Sequence, residues 1–441
     1  MAQAKSSKSA LTFIFFTILV DVIGIGIIIP VVPTLIKSLT GEGIAEAAWW
    51  GGWLAIAYSG MQFICAPVLG ELSDRFGRRP ILLFSLLGLG IDYIFCAFAP
   101  TIAWLFVGRI LAGMTGASFS VATAYIADVS TPENKAKNFG IIGAAFGLGF
   151  VLGPTIGGIC AQWGTQLPFF VAAGFTLLNF LFGLFFVPES LPLDKRRPIR
   201  FSSMIPGVSL AHLGKYKALL GLIIAFILVN LAGQVMPSIW TFFTMEMYGW
   251  KEAAVGLSLS VVGLLVGLVQ VGLIGKVVKR YGNKKVIIAG FMFWTIGMIS
   301  FCFAFNEWLL YAALIPYVLG GIAGPTIQGI LSNSVSQKEQ GNLQGALTQM
   351  IALMAIAGPL IYTTLFSKFS STDAPVYFPG APFMAAAVIL ILASIVAFVS
   401  LKNLKQFALI ANPVSTFDED EIVDAKSIFD EEDSINGKYK D

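Results

Sequence analysis

Apolar runs of about twenty residues recur along almost the whole chain, and they limit the possible fold more than any other feature. A helix rises about 1.5 Å per residue, so each run is long enough to cross the hydrocarbon core of a bilayer. Short polar connections separate the runs, and we therefore predict an all-α membrane protein with twelve transmembrane helices. The predicted spans are residues 11–36, 49–69, 81–99, 101–126, 138–160, 167–187, 217–243, 254–275, 286–305, 307–331, 342–366 and 380–401.

The composition of the chain excludes a soluble globular domain. Only 12% of the 441 residues are charged, whereas a soluble protein carries roughly 25%. The four cysteines all fall in apolar runs, without the spacing of a metal or redox site, so we expect neither a metal nor a cofactor. Nucleophile–base pairs and phosphate-binding loops are not recognisable, which argues against an enzyme.

Basic residues in the predicted connections indicate the orientation of the chain. Short loops rich in Lys and Arg remain in the cytoplasm. Among the connections, only Lys37, Lys251 and Lys368 would lie outside, and the other basic residues would lie inside. We therefore predict a multi-pass protein of the cell (inner) membrane with both termini in the cytoplasm.

The longest polar break lies between the sixth and seventh predicted spans, and the two sides of it repeat each other at an offset of 205 residues. The matching landmarks are Gly70 and Gly275, Arg75 and Arg280, Gly77 and Gly282, Gly140 and Gly345, and Gly153-Pro154 and Gly358-Pro359. Such a repeat predicts two pseudo-symmetric six-helix bundles. The predicted divisions are an N-terminal bundle over 1–187, a cytoplasmic linker over 188–216, a C-terminal bundle over 217–401 and an acidic tail, expected to be disordered, over 402–441.

A charged connection between the second and third predicted spans carries the most specific motif, GELSDRFGRRP over residues 70–80. Its glycines are expected to permit a tight turn, and its aspartate to pair with a neighbouring arginine. An ordinary cytoplasmic loop would explain the arginines but not their order. The pattern resembles the signature between the second and third helices of major facilitator superfamily transporters. The resemblance implies a gating loop formed by Gly70, Asp74, Arg75, Gly77, Arg78 and Arg79.

Three ionisable residues lie inside predicted spans, namely Asp21, Asp92 and Arg109. Because burying a charge in a membrane is costly, such residues mark functional sites by default. The alternative for Asp92 and Arg109 is that they lie near a surface and extend their polar ends toward water. Arg109 also belongs to a pattern, Leu105-x-x-x-Arg109-x-x-Ala112-Gly113-x-x-Gly116, that resembles a second superfamily signature. In the family, this arginine is linked to proton transfer, and the acids would carry the proton.

The fifth predicted span carries small residues at fixed positions. They are Gly140, Gly149, Gly153, Pro154, Gly157 and Gly158. Small residues let membrane helices pack closely, and a generic glycine-rich packing face is the structural alternative. The spacing resembles the antiporter motif of the superfamily, which implies proton-driven export.

The resemblance narrows to tetracycline-efflux and related multidrug proteins. It extends over residues 11–401 and includes the runs GNLQG at 341–345 and GPTIQG at 324–329. Two positions depart from the pattern, because Val266 replaces a histidine of the eighth helix and Trp294 an aspartate of the ninth. In the family these groups serve proton coupling and recognition of the metal-bound drug. Their absence leaves the resemblance intact and puts tetracycline itself in question as the substrate.

The predicted substrate cavity combines polar and aromatic side chains. Its candidate residues are Tyr58, Gln62, Gln234, Trp240, Gln270 and Gln328. A broad apolar pocket with a few polar groups suits amphipathic, often aromatic compounds. For each glutamine, a hydrogen bond between helices is the alternative.

Together these features predict a secondary transporter that exports a small amphipathic compound in exchange for protons, by alternating access. Its expected partners are the small molecule, protons and the lipid bilayer, without nucleic acid, and the proton gradient would supply the energy. A proton-symport importer of a nutrient is the first alternative. A membrane receptor or scaffold that keeps the fold is the second.

Overall fold

The computed structural model describes residues 2–116, 118–130, 134–199, 201–335 and 337–411. Within these ranges the chain is helical and has no strand, as predicted. The helices are α1 Ala2–Ile28, α2 Val32–Thr40, α3 Ile44–Phe76, α4 Arg78–Ala97, α5 Ile102–Thr115, α6 Ser118–Val129, α7 Lys135–Cys160, α8 Leu167–Phe186, α9 Leu220–Gly233, α10 Val235–Tyr248, α11 Glu252–Gly272, α12 Ile274–Cys302, α13 Glu307–Gly320, α14 Ala323–Asn333, α15 Gln337–Ser370 and α16 Ala381–Ala411. Short 3-10 helices occupy the predicted linker, at Leu193–Lys195, Phe201–Met204 and Val208–Lys215.

Among the described residues, eleven helical segments are long and apolar enough to cross a membrane, and α1 with α2 forms a twelfth span if the bent pair is counted as one. The span predicted over 11–36 corresponds to this pair, which is bent by 45°. Pro30 lacks a backbone N–H and disfavours helical geometry in the residue before it. The second proline, Pro33, lies at the start of α2, where a helix tolerates proline.

The motif at residues 70–80 forms a turn of one residue, not a short loop. α3 continues through Phe76, and only Gly77, with φ 108° and ψ 157°, separates it from α4. Gly70 is helical, and an added Cβ there would meet no atom within 4 Å, so the predicted turning role of Gly70 is wrong. Inside α12, Gly282 has φ 74° and ψ 156°, so the two halves of the chain repeat the same backbone break at the predicted offset.

Replacing Gly77 by alanine is expected to destabilise the first half of the protein. Its backbone lies in a region that is essentially confined to glycine, which costs other residues about 1–3 kcal/mol. An added Cβ would also meet the carboxylate of Glu189. Thermal unfolding in detergent should show a lower midpoint for Gly77→Ala. Gly70→Ala is the matched control, and an equal loss in both variants would contradict this assignment.

The chain forms two compact units, and each unit contains segments from both halves of the sequence. The first unit contains the described residues up to Pro206 together with Ser238–Leu264 and Pro359–Pro379. The second contains Gly207–Pro237, Leu265–Gly358 and the described residues from Gly380 onward. Parts of α10, α11 and α15 therefore pack with the N-terminal helices, while the functional division at residues 188–216 stays a prediction.

Each unit has its own helix pairs. In the first unit, α1 packs on α7, α3 on α5 and α4 on α8. A buried hydrophobic cluster of this unit includes Ile14, Val22 and Tyr125. In the second unit, α12 packs on α13 and α16, and α9 packs on α16. α16 continues to Ala411, so the tail predicted from residue 402 begins with ten helical residues, and residues 412–441 lie outside the described part of the chain.

Candidate functional site

Asp92 and Arg109 form an ion pair inside the first unit. Asp92, on α4, has a completely buried side chain, and Arg109, on α5, has 21% of its side chain exposed. The arginine Nη2 donates to Asp92 Oδ2, and the thiol of Cys96 donates to Asp92 Oδ1 over 3.4 Å. An added Cβ at Gly108 would lie 2.8 Å from Asp92 Oδ1, so the glycine lets the carboxylate approach α5. The two side chains bind each other, and the carboxylate of Asp92 does not extend toward a surface.

Asp21 has a different environment on α1. The residue is 7% exposed, and Oδ1 has no hydrogen-bond partner among the described residues. The side chain of Ser118, on α6, hydrogen-bonds the carboxylate. Within the described part of the chain, Asp21 belongs to no ion pair. The unit therefore holds one buried carboxylate that is neutralised by an arginine and one that is not.

Two tyrosines lie near these carboxylates. Tyr58, on α3, and Tyr93, on α4, are each close to Asp21, Asp92 and Arg109. The Tyr93 hydroxyl is buried and has no hydrogen-bond partner among the described residues. Its ring packs against α1 where an added Cβ at Gly24 would lie 2.9 Å from the hydroxyl oxygen. Sequence reasoning missed Tyr93 and Ser118 as members of this cluster, because neither residue is charged.

The predicted cavity residues of the first unit have different environments. Gln62 donates to the Tyr58 hydroxyl over 3.3 Å and to the Gly116 carbonyl over 2.8 Å, so it ties α3 to the end of α5. Trp240 is only 1% exposed, and its indole N–H donates to Ser258 over 2.9 Å. The packing between α10 and α11 holds this ring as a core residue of the first unit, and its contact with a substrate stays a prediction.

The remaining predicted cavity residues belong to the second unit. Gln328 donates to Gln344 over 3.1 Å and links α14 to α15, which is the helix–helix alternative that the sequence left open. Gln234 packs against α15 at Gly358. Gln270, near the end of α11, is exposed. Whether these side chains contact a substrate stays a prediction.

The glycines of α7 are the contact surface between α7 and α1. Cβ atoms added at Gly149, Gly153 and Gly157 would overlap α1, the last of them at the carbonyl of Ile27. Because these positions are four residues apart, they lie on one face of the helix. Gly140 differs, since an added Cβ there would meet no atom within 4 Å. Four-residue spacing thus has a direct structural purpose at three of the predicted positions.

A second face of α7 contacts α11. An added Cβ at Gly158 would overlap the carbonyl of Glu252, and one at Gly256 would overlap the carbonyl of Pro154. Ser260 hydrogen-bonds both Thr155, over 2.6 Å, and the carbonyl of Val151. The motif therefore packs α7 between α1 and α11, and the matching small residues on α11 were not recognised from the sequence.

We expect Gly157→Ala to separate α1 from α7 and to reduce both stability and transport. Inserting a methyl group into a packed contact costs about 1–3 kcal/mol, and here the neighbour is backbone that cannot rotate away. The midpoint of thermal unfolding and the transport rate should both fall. Gly140→Ala, on the same helix in open space, should leave both unchanged, and similar losses in the two variants would contradict the packing role.

Acidic side chains hold the turn at Gly77. Arg78 pairs with Asp74 at 2.5 Å and with Asp128 at 3.2 Å. The carboxylate of Glu189 accepts from the backbone N–H groups of Arg78, over 2.8 Å, and Arg79, over 3.3 Å. A carboxylate at this position satisfies the free N–H groups at the start of α4. The sequence indicated the pairing of Asp74 with an arginine but not the part played by Asp128 and Glu189.

The two departures from the efflux pattern lie in the second unit. Trp294 packs between Gly320, on α13, and Tyr317, whose ring centroid is 6.2 Å away in an edge-on arrangement. Val266 is half-buried on α11. Within the described ranges, no three His, Cys, Asp or Glu residues lie close enough to hold a metal ion.

Comparison with known proteins identifies the family. The model of the Major Facilitator Superfamily matches residues 14–274 and 219–410. The chain is 40% identical to the class C tetracycline resistance protein of Escherichia coli over 366 residues, which cover 83% of this chain and 92% of the relative. It is 33% identical to the class H tetracycline resistance protein of Pasteurella multocida over 407 residues, which cover 92% of this chain and 100% of the relative.

Solved structures show the same fold at low identity. The human organic anion transporter MFSD10 (TETRAN) matches with a TM-score of 0.66 and 22% identity, covering 89% of this chain and 99% of that one. A bacterial homolog of the human lysosomal transporter Spinster, in an inward-facing and unoccupied conformation, matches with a TM-score of 0.72 and 14% identity, covering 90% and 97%. Family model, relatives and fold agree, and the chain belongs to the Major Facilitator Superfamily and, within it, to the group of tetracycline resistance proteins.

Proposed function

We propose that the protein exports a small amphipathic compound across the cell membrane in exchange for protons. The observation that carries this proposal is the pair of unlike carboxylates in the first unit. Asp92 is neutralised by Arg109, while Asp21 is buried and, among the described residues, has one unpaired oxygen and no ion-pair partner. Exchange needs one group that takes up and releases a proton and another group that holds the charged side chains in place. In this proposal Asp21 has the first role, and Asp92 with Arg109 has the second.

Asp21 is the proton carrier in this proposal. A buried carboxylate without a nearby cation has a high free energy in its ionised form, so binding a proton stabilises it. When the two halves of the fold rock to the other side, the proton on Asp21 would leave to water there. The hydroxyl of Ser118 could hydrogen-bond either form of Asp21, since a hydroxyl donates to an anion and accepts from an acid.

Asp92 and Arg109 would act as a fixed pair that positions the cluster. Their charges cancel locally, so the pair can persist in an apolar interior. Tyr58 and Tyr93 lie near all three charged groups. The proton gradient is the energy source in this scheme, which uses no cofactor.

The direction of transport and the class of compound rest on the relatives and on α7. The relatives are named for resistance to tetracycline, which favours a drug-like substrate and export. The α7 packing face matches the motif that implies antiport. Trp294 and Val266 replace the family's aspartate and histidine, so we propose an amphipathic compound that needs no metal for recognition. Tetracycline with Mg²⁺ is the first compound to compare with it.

An inner-membrane location with both termini in the cytoplasm is part of this proposal, and the basic connections support it.

Accumulation in inverted membrane vesicles tests the direction. With an acid interior, an antiporter would accumulate a radiolabelled amphipathic compound while protons leave. A symport importer would instead release compound that had been loaded into the same vesicles. Accumulation that disappears when the gradient is collapsed supports the proposal, and gradient-driven release contradicts it.

The Asp74–Arg78 pair gives a separate prediction about gating. Its carboxylate side chain is 32% exposed, and exposed ion pairs stabilise proteins by only about 0–1 kcal/mol. Asp74→Asn should therefore insert and fold normally but lower the maximal transport rate, with little change in the substrate concentration at half-maximal rate. Asp194→Asn, at a neighbouring exposed acid, is the control. An unchanged rate in Asp74→Asn would count against a gating role.

A further inference from the structure

The second copy of the charged turn carries many cations and no acid. Around Gly282 the chain places five basic residues within ten positions. They are Lys276, Lys279, Arg280, Lys284 and Lys285. At the offset of 205 residues, Glu71, Asp74 and Asp128 of the first copy correspond to Lys276, Lys279 and Asn333 in the second. The repeat has thus kept the backbone break and lost its acidic partners.

The structure shows the consequence of this exchange. Four ion pairs of described residues lie in the first unit, where Asp74, Asp128 and Glu189 pair with arginines. Within the described part of the second copy, two of the five basic side chains contact an aromatic ring. Arg280 lies 5.4 Å from the centroid of Tyr281, and Lys284 lies 5.4 Å from that of Phe398. Clustered cations without anions repel one another and attract any acidic group of matching shape.

A groove beside these cations offers an apolar surface as well. It has a volume of about 330 Å³ and lies within the second unit. Its surface is apolar and includes Leu273, Val277, Phe293 and Leu319, together with the apolar parts of Tyr281 and Lys285. A ligand that combines acidic groups with an aromatic or aliphatic side chain would match both the groove and the cations.

The chain itself carries such a ligand after α16. Residues 418–441 contain ten acidic residues against three lysines, and apolar residues such as Ile422, Val423 and Phe429 alternate with the acids. The family model ends at residue 410, so the superfamily fold does not account for this segment.

The tail can reach the groove. α16 contacts Lys284 through Phe398 and continues to Ala411, about 20 Å further along a helix. From residue 412, the chain up to Phe429 can span about 55 Å when extended. Tethering also raises the effective concentration of the tail at the groove to the order of mM.

We propose that the acidic C-terminal segment, residues 418–433, binds to the basic cluster around Gly282 and places an apolar side chain in the adjacent groove. The tail would supply to the second copy of the turn the carboxylates that Asp74, Asp128 and Glu189 supply to the first copy. This proposal does not depend on the transported compound or on proton coupling.

Zero-length carbodiimide crosslinking of the full-length protein in vesicles tests the proposal. This reagent joins lysine to carboxylates within ion-pairing distance, and mass spectrometry identifies the joined peptides. We expect links from Lys279, Lys284 and Lys285 to residues 418–433 at a yield several-fold above links from Lys195. Lys195 is the internal control because it is an exposed lysine of the first unit. Links should be lost at 0.5 M salt, since surface charges are then strongly screened.

Two variants make the test specific. Replacing all nine acids of residues 418–433 by their amides should remove the links without changing any described residue. Lys284→Gln with Lys285→Gln should reduce links at Lys279, because the attraction of the whole cluster falls. Equal yields at Lys195 and at the cluster would overturn the proposal.

Two further outcomes would also overturn it. Loss of the links only in vesicles of anionic phospholipid would assign the cluster to lipid headgroups instead of the tail. The second outcome is a link between two molecules, which mixing ¹⁵N-labelled and unlabelled protein would reveal. Links that join a labelled peptide to an unlabelled one would show that the tail of a second molecule binds the cluster.

Discussion

Arg109→Ala is expected to abolish proton-linked transport and to lower the stability of the protein. The substitution leaves the carboxylate of Asp92 completely buried and without a cation. Removing one partner of a buried ion pair costs about 3–5 kcal/mol, because the remaining charge is uncompensated. Transport in vesicles and the midpoint of thermal unfolding in detergent should therefore fall together.

A double variant separates the two losses. Arg109→Gln combined with Asp92→Asn replaces the ion pair by two neutral amides that can hydrogen-bond each other. The unfolding midpoint should recover most of its loss relative to Arg109→Ala, whereas transport should stay absent. Recovered transport in the double variant would show that the pair has only a structural role.

Asp21→Asn is expected to abolish transport with the opposite effect on stability. The amide has the same size as the carboxylate and carries no charge, so a buried group without a cation becomes easier to accommodate. The unfolding midpoint should be unchanged or raised, while substrate-induced proton movement disappears. Both variants should lose transport, but only Arg109→Ala should have a lowered unfolding midpoint. We expect this difference for a proton carrier that lies beside a fixed ion pair.

Asp373→Asn is the matched control, because it makes the same chemical change at an exposed acid outside the helices. It should retain normal transport. Normal transport in Asp21→Asn would remove the proposed carrier. A lowered unfolding midpoint in that variant would instead show that an ionised Asp21 stabilises the fold.

The fold of this chain could be predicted because the features that indicate it can be recognised in the sequence without any three-dimensional contact. Span length predicts the crossings, and the repeat at 205 residues predicts that Gly77 and Gly282 break the backbone in the same way. The buried pair of Asp92 and Arg109 could also be anticipated, since two isolated charges in neighbouring spans have few other partners.

Other features depend on contacts between distant residues and could not be predicted. Gly70 and Gly77 are alike in sequence, but only the surroundings show that one is helical and the other turns. Trp240 is a core residue because Ser258, on another helix, accepts its N–H. The role of Glu189 at the start of α4 requires a contact across more than a hundred residues.

Substrate-dependent proton release from inverted vesicles with an acid interior tests the central claim most directly. A pH-sensitive dye would follow the interior while a panel of amphipathic compounds, tetracycline with Mg²⁺ among them, is added to vesicles that contain the protein, the Asp21→Asn variant or neither. The account predicts that at least one compound makes the interior more alkaline with the native protein alone. Alkalinisation of equal size with Asp21→Asn, or silence across the panel with uptake assays showing import, would contradict it.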